Sequence, residues 1–359
     1  MAEERLAAPL VMRFGAFGDI VLLTVLLRHL QARFGRPVDV ISSGPWTRPL
    51  LEGQSCVGRL FVIRSRRMPY LLSWDQLRLV HYLRSRGPGP TWYCDLRVGM
   101  DLLTRGGVPD GYICDSRAFD WQPEETFADR YVRLGNETPP ALAGRLPGPP
   151  GTTERAARIE LTPARRAVVG PWLAKHGLAG RPFVVVHPGS RHAARRGLRS
   201  RAGTSKYWPE SRWGKVIRGV RDLCPDHAIV LSGTAAEYSL NQDIIAAAAV
   251  GDLHNVARDL PIETLLPVLE QAHSMISVDT GPAHAAAALG CPTVSLFGTA
   301  NPVQYRPGGT TTPAAVVTGK VDGQQNILGI EPETVIRAWA DLVAICKTRK
   351  HSVNSVAST

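Results

Sequence analysis

The chain has 359 residues, 44% of them hydrophobic and 20% charged, which excludes an intrinsically disordered protein and favours two domains over a single core. Its formal net charge of +11 favours anionic partners such as phosphorylated ligands or acidic lipid surfaces, although a generally Arg-rich composition explains it equally well. We expect no nucleic-acid partner, because no binding motif and no basic stripe with interleaved aromatic residues occurs.

Targeting and membrane signals are not expected at the beginning of the chain. Residues 1–6 lack the charged-then-apolar order of a signal peptide. The apolar run at 20–27 ends at Arg28, far short of the length that spans a bilayer. The six cysteines occur without a CxxC pair, which favours reduced thiols over disulfides or a zinc site. These features predict a cytoplasmic protein.

Strands and helices alternate in the first part of the chain. The apolar pattern predicts strands at 9–12, 38–41, 60–63 and 92–96, with helices at 19–34 and 71–83. A flexible turn at 15–18 precedes the first helix, which Gly35 and Pro37 end. This order predicts a parallel sheet covered by helices.

The alternation stops at residues 139–153, which are rich in Pro and Gly and indicate a linker. It resumes with a helix at 162–175, strands at 183–186, 228–231, 275–278 and 293–297, and a final helix at 331–345. We therefore predict an α/β protein with one domain at 1–150, a second at 151–348, and a flexible tail at 349–359. Two such domains create a cleft, and ligands bind where the carboxyl ends of strands lead into helices.

The first motif, Gly15-Ala16-Phe17-Gly18-Asp19, follows the first strand. Its glycines allow the backbone to approach a ligand closely, and the spacing matches neither a dinucleotide-binding nor a Walker pattern. Asp19 is interpreted either as an ordinary helix N-cap or as a carboxylate that faces the cleft and accepts a proton.

Three weaker candidate sites follow in the second domain. The turn that ends the strand at 183–186 offers the hydroxyl of Ser190 to a phosphate, or is an ordinary loop. Lys206 precedes a helix that begins near Pro209, and is either a solvated lysine or a cation that stabilises a departing diphosphate. Glu237 follows another strand and is either an exposed carboxylate or an acceptor for ribose hydroxyls.

The strongest motif, residues 277–284, joins a strand to an alanine-rich helix. Thr280 and Gly281 present a hydroxyl and backbone donors at a helix N-terminus, which is a geometry that binds pyrophosphate without a metal. Asp279 precedes them, and His284 in the first turn adds a further donor, against the alternative of a packed histidine.

Together these stretches resemble glycosyltransferase family 9, the lipopolysaccharide heptosyltransferases. The matching stretches are residues 13–30, 187–190, 206–213, 231–237 and 277–307. The last, SVDTGPAHAAAALGCPTVSLFGTANPVQYRP, is the most specific. Residues 65–136, on the acceptor side, match loosely.

The resemblance implies a GT-B fold with two Rossmann-like domains that face a central cleft, the acceptor on the first and the nucleotide sugar on the second. It implies an inverting transfer without metal or cofactor, usually from ADP-heptose to a lipid-linked core sugar. By motif position, Asp19 is the general base. The donor phosphates are assigned to Lys206, Thr280, Gly281 and His284, and the donor or its ribose to Asp279 and Glu237. Gly15 and Gly18 belong to the acceptor-side turn.

The basic stretch at 191–203 departs from the family pattern. Arg195 and Arg196 within it are interpreted as contacts to an anionic acceptor or to the inner membrane, or as part of a surface insertion. Two other functions stay open: a relative that uses another nucleotide sugar, or a protein or small-molecule acceptor, and a non-catalytic nucleotide-sugar-binding protein.

Overall fold

The computed structural model describes residues 6–65, 68–95, 99–152, 154–190, 204–309 and 313–356. The chain separates into two compact units, Met1–Glu160 and Leu161–Thr359, a boundary later than the predicted one at 150. Residues up to 160 belong to the first unit because Glu160 is bound there. Its carboxylate lies 3.2 Å from Arg28 Nη1 and accepts a hydrogen bond from Ser55 N.

The described part of the first unit contains a parallel sheet with strand order β3-β2-β1-β4-β5. Its strands are β1 (Leu10–Arg13), β2 (Val38–Ser43), β3 (Val57–Ile63), β4 (Thr91–Tyr93) and β5 (Ile113–Asp115). Its helices are α1 (Phe17–Phe34), α2 (Thr47–Leu51), α3 (Trp74–Ser85), α4 (Met100–Arg105) and α5 (Phe127–Asn136).

Helix α1 is the central packing element of this sheet. Its apolar residues from Ile20 to Leu27 are buried, so the run that is too short for a membrane forms core instead. The helix ends at Gly35, whose φ of 64° is left-handed and whose N–H donates to Gln31 O at 2.8 Å. Glycine adopts this conformation without steric cost, which fixes the predicted end of the helix.

The described part of the second unit contains a parallel sheet with strand order β11-β10-β9-β6-β7-β8. Its strands are β6 (Phe183–His187), β7 (Ala228–Leu231), β8 (Leu253–Asn255), β9 (Ser274–Val278), β10 (Thr293–Phe297) and β11 (Ala314–Thr318). The short strands β12 (Lys320–Val321) and β13 (Gln324–Gln325) pair antiparallel.

The helices of the second unit cover the sheet. They are α6 (Pro163–Ala167), α7 (Val169–Lys175), α8 (Glu210–Leu223), α9 (Tyr238–Ala248), α10 (Ile262–Gln271), α11 (Gly281–Ala288), α12 (Pro302–Tyr305) and α13 (Pro332–Val356). Every residue of the central strands β6, β7 and β9 is buried and most are apolar, as expected for parallel strands that are covered on both faces.

Two helices differ from their predicted bounds. The predicted helix at 162–175 is divided at Val168, because Pro171 has no N–H to continue the hydrogen-bond ladder. The final helix extends to Val356 instead of ending near 345, because no Gly or Pro follows Pro332 within it. Within the described ranges, no helix has both the length and the apolar character needed to span a bilayer.

Candidate functional site

Asp19 lies in the first turn of α1, immediately beyond the carboxyl end of β1. The helix begins at Phe17 with Ala16 as its N-cap, so Asp19 is its third residue. The predictions that Asp19 opens the helix and that Gly18 belongs to the preceding turn are therefore wrong. Asp19 Oδ2 accepts a hydrogen bond from Ala16 N at 2.7 Å, and the side chain is 26% exposed.

Arg13 orients the Asp19 carboxylate. Arg13 Nη2 lies 3.2 Å from Asp19 Oδ1, and Arg13 Nη1 donates to Cys94 O at 2.6 Å. Burial by itself lowers the pKa of Arg13, but the nearby Tyr131 and Asp19 raise it, and the net pKa lies above the ordinary value. Arg13 therefore stays charged and holds one oxygen of Asp19, while the other caps the helix.

Sequence reasoning did not single out Arg13 or Asp95. Asp95 is buried just after β4, and its Oδ2 accepts from Phe14 N at 2.7 Å. Both residues lie at carboxyl ends of neighbouring strands, and charged residues at such positions are the signal that could have identified them.

Gly15 leaves the space that Asp19 occupies. A Cβ built on Gly15 would lie 2.4 Å from Asp19 Cβ and 3.2 Å from Arg13 Nε. Real Cβ atoms do not approach another carbon this closely. The glycine is therefore required so that the turn can pass beside the carboxylate.

In the second unit, Lys206 is bound to the end of β9. Lys206 Nζ donates to the backbone O of Asp279 at 2.6 Å and to its Oδ2 at 2.7 Å. The other carboxylate oxygen of Asp279, Oδ1, lies 3.9 Å from Nε2 of His284, and the side chains of Asp279 and His284 are both buried. The structure thus brings together three of the residues that the sequence predicted for donor binding.

The N-terminus of α11 follows Asp279. Thr280 is its N-cap, but the Thr280 hydroxyl is directed back to the strand, where it donates to Val278 O at 3.2 Å and lies 3.1 Å from Ser277 Oγ. Within the described part of the chain, no side chain caps the first turn of α11. The backbone donors there, beginning with Gly281, are a suitable site for an anion.

Glu237 lies between the loops that follow β6 and β7. It is buried, and its Oε2 accepts from Thr234 N at 2.6 Å and Thr234 Oγ1 at 2.9 Å. A Cβ on Gly189 would lie 2.3 Å from Glu237 Oε1, so the glycine allows the carboxylate to approach the β6 loop. The alternative of an exposed Glu237 is wrong.

Ser190 and His187 complete this edge of the sheet. Ser190 is buried beside Gly189, and His187 Nδ1 lies 2.9 Å from Ser232 Oγ. Burial lowers the pKa of His187, so the imidazole is neutral at pH 7. Because Ser277 Oγ donates to His187 O at 3.2 Å, the ends of β6, β7 and β9 form one continuous polar edge.

Over the described ranges, no group of three or more His, Cys, Asp or Glu side chains is arranged to hold a metal ion. Arg195 and Arg196, predicted to contact the acceptor, lie outside the described residues.

Comparison with known proteins identifies relatives over most of this fold. Residues 96–322 match the family model of glycosyltransferase family 9 (heptosyltransferase). The chain is 22% identical over 305 residues to lipopolysaccharide heptosyltransferase 2 of Salmonella typhimurium, which covers 79% of this chain and 81% of the relative. The corresponding Escherichia coli protein is also 22% identical, over 307 residues.

Solved structures show the same fold. The ADP-heptose lipopolysaccharide heptosyltransferase II of E. coli superimposes with a TM-score of 0.68 at 19% identity, over 95% of this chain and 99% of that one. A family 9 glycosyltransferase of Veillonella parvula gives a TM-score of 0.73 at 17% identity, over 94% of this chain and 97% of that one. The predicted α/β fold of GT-B type and the family resemblance are confirmed.

Proposed function

This chain belongs to glycosyltransferase family 9 and is a glycosyltransferase; we propose that it transfers a heptose from ADP-heptose to a sugar of a lipopolysaccharide core, with inversion and without a metal ion. The names of its relatives in Salmonella and E. coli support this choice of donor and acceptor. The observation that carries the proposal is the partly exposed carboxylate of Asp19, which Arg13 holds at the carboxyl end of β1.

The donor diphosphate is assigned to the second unit. Lys206 supplies a positive charge next to the end of β9, and the uncapped first turn of α11 supplies the backbone N–H groups of Gly281 and Ala283, since Pro282 has none. Helix N-termini and cations stabilise the negative charge that develops on a departing diphosphate. In this role Lys206 exchanges part of its interaction with Asp279 for the phosphate oxygens, while Asp279 keeps the ammonium in place.

The nucleoside end of the donor is assigned to the edge formed by β6 and β7. Glu237 Oε2 is held by Thr234, and Oε1 faces the turn at Gly189. A fixed carboxylate is a good acceptor for ribose hydroxyls. Ser190, which is buried on the same turn, is assigned as a hydroxyl donor to the nucleotide sugar.

Asp19 is the proposed general base. The acceptor hydroxyl gives its proton to Asp19, the acceptor oxygen bonds to the anomeric carbon, and the bond from that carbon to the diphosphate oxygen breaks, which releases ADP. Attack opposite the leaving group inverts the anomeric centre. Because Lys206 and the α11 N-terminus stabilise the leaving group, the step needs no metal ion.

The experiment is to measure release of the nucleoside diphosphate with heptose-deficient lipopolysaccharide as acceptor: ADP from ADP-heptose and, in separate reactions, UDP from UDP-glucose and GDP from GDP-mannose. Acceptor-dependent release from ADP-heptose supports the proposal. Release from another donor would move the assignment to a family member with a different sugar. Tight donor binding without turnover on any acceptor would indicate a non-catalytic binding protein instead.

A further inference from the structure

The segment between β3 and α3 exposes a cluster of large apolar side chains. Leu71, Leu72 and Trp74 are 77%, 74% and 78% exposed, and Met68 is 45% exposed. Among the described residues outside this segment, the most exposed large apolar side chain is Leu223 at 55%, well below Leu71, Leu72 and Trp74. Scattered apolar residues on a surface need no explanation, but a contiguous cluster of this kind indicates an interaction site.

The loop that carries the cluster is held by polar groups on its inner side. Gln76 is buried, and its Nε2 donates to Ser65 O at 3.0 Å and to Met68 O at 3.1 Å. Ser73, also buried, caps α3 by accepting from Gln76 N. The ordinary pattern is therefore inverted here. The polar side chains are inside, whereas the two leucines lie outside in a short 3₁₀ turn at Tyr70–Leu72 and Trp74 lies outside at the start of α3.

Exposed arginines surround the apolar cluster. A groove of about 1010 Å³ beside it, between β3 and α3, is lined by Arg59, Arg78 and Arg84 together with Tyr70 and Trp74. The guanidinium of Arg105 lies 5.1 Å from the ring centre of Tyr70. Arg64, at the start of the loop, is 90% exposed.

These arginines form a rim beside the apolar cluster, and acidic side chains offset its positive charge only in part. Asp75 lies within it, where it accepts a hydrogen bond from Arg64 N and lies 4.0 Å from Arg64 Nε. Five exposed arginines, Arg59, Arg64, Arg78, Arg84 and Arg105, belong to the rim. In the sequence, Arg66 and Arg67 precede Met68, but they lie outside the described residues. The described rim therefore presents net positive charge around an apolar centre.

The cluster lies at the carboxyl edge of its sheet, which is also the edge that carries Asp19. It follows β3, whose strand direction is parallel to that of β1 through β2. The carboxyl ends of parallel strands share one edge, so the segment after Ile63 and the turn that carries Asp19 belong to the same edge of this sheet.

We propose that Met68, Leu71, Leu72 and Trp74, with the five exposed arginines around them, form a surface that docks on an anionic phospholipid bilayer. Tryptophan and leucine side chains insert shallowly at the boundary between headgroups and acyl chains, while arginines bind the anionic headgroups. A second copy of this chain is a poor occupant, because the same positive rim and a net charge of +11 repel it. Docking would direct the Asp19 edge of the first unit towards the membrane surface.

The first test is sedimentation of the full-length protein with vesicles of phosphatidylcholine, with and without phosphatidylglycerol. Binding is expected only with phosphatidylglycerol and decreases as salt rises, because screening weakens the arginine contacts. The double variant Leu71→Ser/Leu72→Ser lowers the partition coefficient about tenfold or more, since two apolar side chains no longer insert. Leu223→Ser, which changes an exposed leucine of the second unit, is the matched control and leaves binding unchanged.

A second measurement locates the contact and does not depend on the double variant folding. Brominated acyl chains in the vesicles quench tryptophan emission at short range, and Trp74→Phe is expected to abolish most of this quenching. Trp121→Phe, which removes another exposed tryptophan of the same unit, is expected to retain it. Neither experiment uses donor or acceptor, so the outcome is independent of the proposed reaction.

Three results would overturn the proposal. One is equal binding to vesicles with and without phosphatidylglycerol, or none to either. Another is full binding by a folded Leu71→Ser/Leu72→Ser variant together with unchanged quenching in Trp74→Phe. The third is concentration-dependent self-association that the double variant abolishes, without vesicle binding, which would assign the cluster to contact between copies of the chain.

Discussion

Arg13 and Asp19 face each other across the turn between β1 and α1, with Arg13 Nη2 3.2 Å from Asp19 Oδ1. Each partner is also held by the backbone: Arg13 by Cys94 O, and Asp19 by Ala16 N. The carboxylate therefore has a fixed orientation while a quarter of its side-chain surface stays accessible. A base that must receive a proton from an incoming hydroxyl needs both properties.

Gly15→Ala is expected to displace this carboxylate. The new Cβ would meet Asp19 Cβ at 2.4 Å, and an error of about 1 Å in a catalytic group costs roughly a hundredfold in rate. We expect kcat to fall about a hundredfold with the donor KM unchanged, as measured by ADP release. Gly148→Ala, where a Cβ meets no atom within 4 Å, is the control. Equal activity of both variants would show that the turn does not position the base.

Lys206→Met is expected to weaken binding of the donor diphosphate. It removes a cation beside the α11 N-terminus, and hydrogen bonds to charged groups contribute about 1.5–3 kcal/mol, so the Kd for ADP should rise roughly tenfold to a hundredfold. Isothermal titration measures the Kd directly. Lys175→Met removes another lysine that is paired with an aspartate, Asp259, in the same unit, and should leave the Kd unchanged. A Kd for ADP in the Lys206 variant equal to that of the native protein would show that Lys206 does not bind the diphosphate.

Glu237→Ala is expected to lower affinity only for nucleotides that have ribose hydroxyls. The Kd for ADP should rise about tenfold, the effect of losing a charge-assisted hydrogen bond, whereas the Kd for 2′,3′-dideoxy-ADP should not change. Thr234→Ala removes one hydrogen bond to Glu237 but keeps the Glu237 carboxylate. It therefore separates loss of the ribose contact from loss of the hydrogen bonds between Thr234 and Glu237. Equal losses for both nucleotides would indicate that Glu237 only stabilises the loop.

The sequence predicts much of the sheet architecture because the central strands are short, largely apolar runs. The strands at 228–231 and 293–297 have the predicted bounds. The sequence patterns did not predict β5, β8 or β11, which lie at the edges of their sheets. β5 and β8 have three residues each, too few to carry a usable periodicity. The carboxylate of Asp19 could be located from its motif. The position of Arg13 at the end of a strand could have marked it as a candidate, but its contact with Asp19 could not be assigned, since Arg13 is held by the backbone of Cys94, far along the chain.

The stability of the protein should decrease on mild acidification. Burial lowers the pKa of His187 below the ordinary value of a histidine, and burial likewise lowers the pKa of His29. As the pH falls through about 6.5, the unfolded chain therefore binds protons that the folded chain does not, and the free energy of unfolding falls by up to about 1.4 kcal/mol per pH unit for each such group. Urea unfolding between pH 7.5 and 5.5 measures this slope.

His187→Gln tests the contribution of one buried imidazole to that slope. In this variant we expect the dependence of the free energy of unfolding on pH to become shallower by up to about 1.4 kcal/mol per pH unit, while the contributions of the other titrating groups stay the same. His81→Gln, which changes an exposed histidine, should leave the slope as it is. A slope unaltered by His187→Gln would mean that this histidine is protonated equally in the folded and unfolded states.

The most direct test of the central claim is the single-turnover rate of ADP release from ADP-heptose with heptose-deficient lipopolysaccharide, for the native protein and Asp19→Asn. Asparagine keeps the shape of the side chain but cannot take a proton. We predict acceptor-dependent release by the native protein and a rate about a hundredfold to ten-thousandfold lower in the variant, with unchanged affinity for ADP. A native rate in Asp19→Asn would contradict the assignment of Asp19 as the base. Absence of release by the native protein would contradict the proposed donor or acceptor.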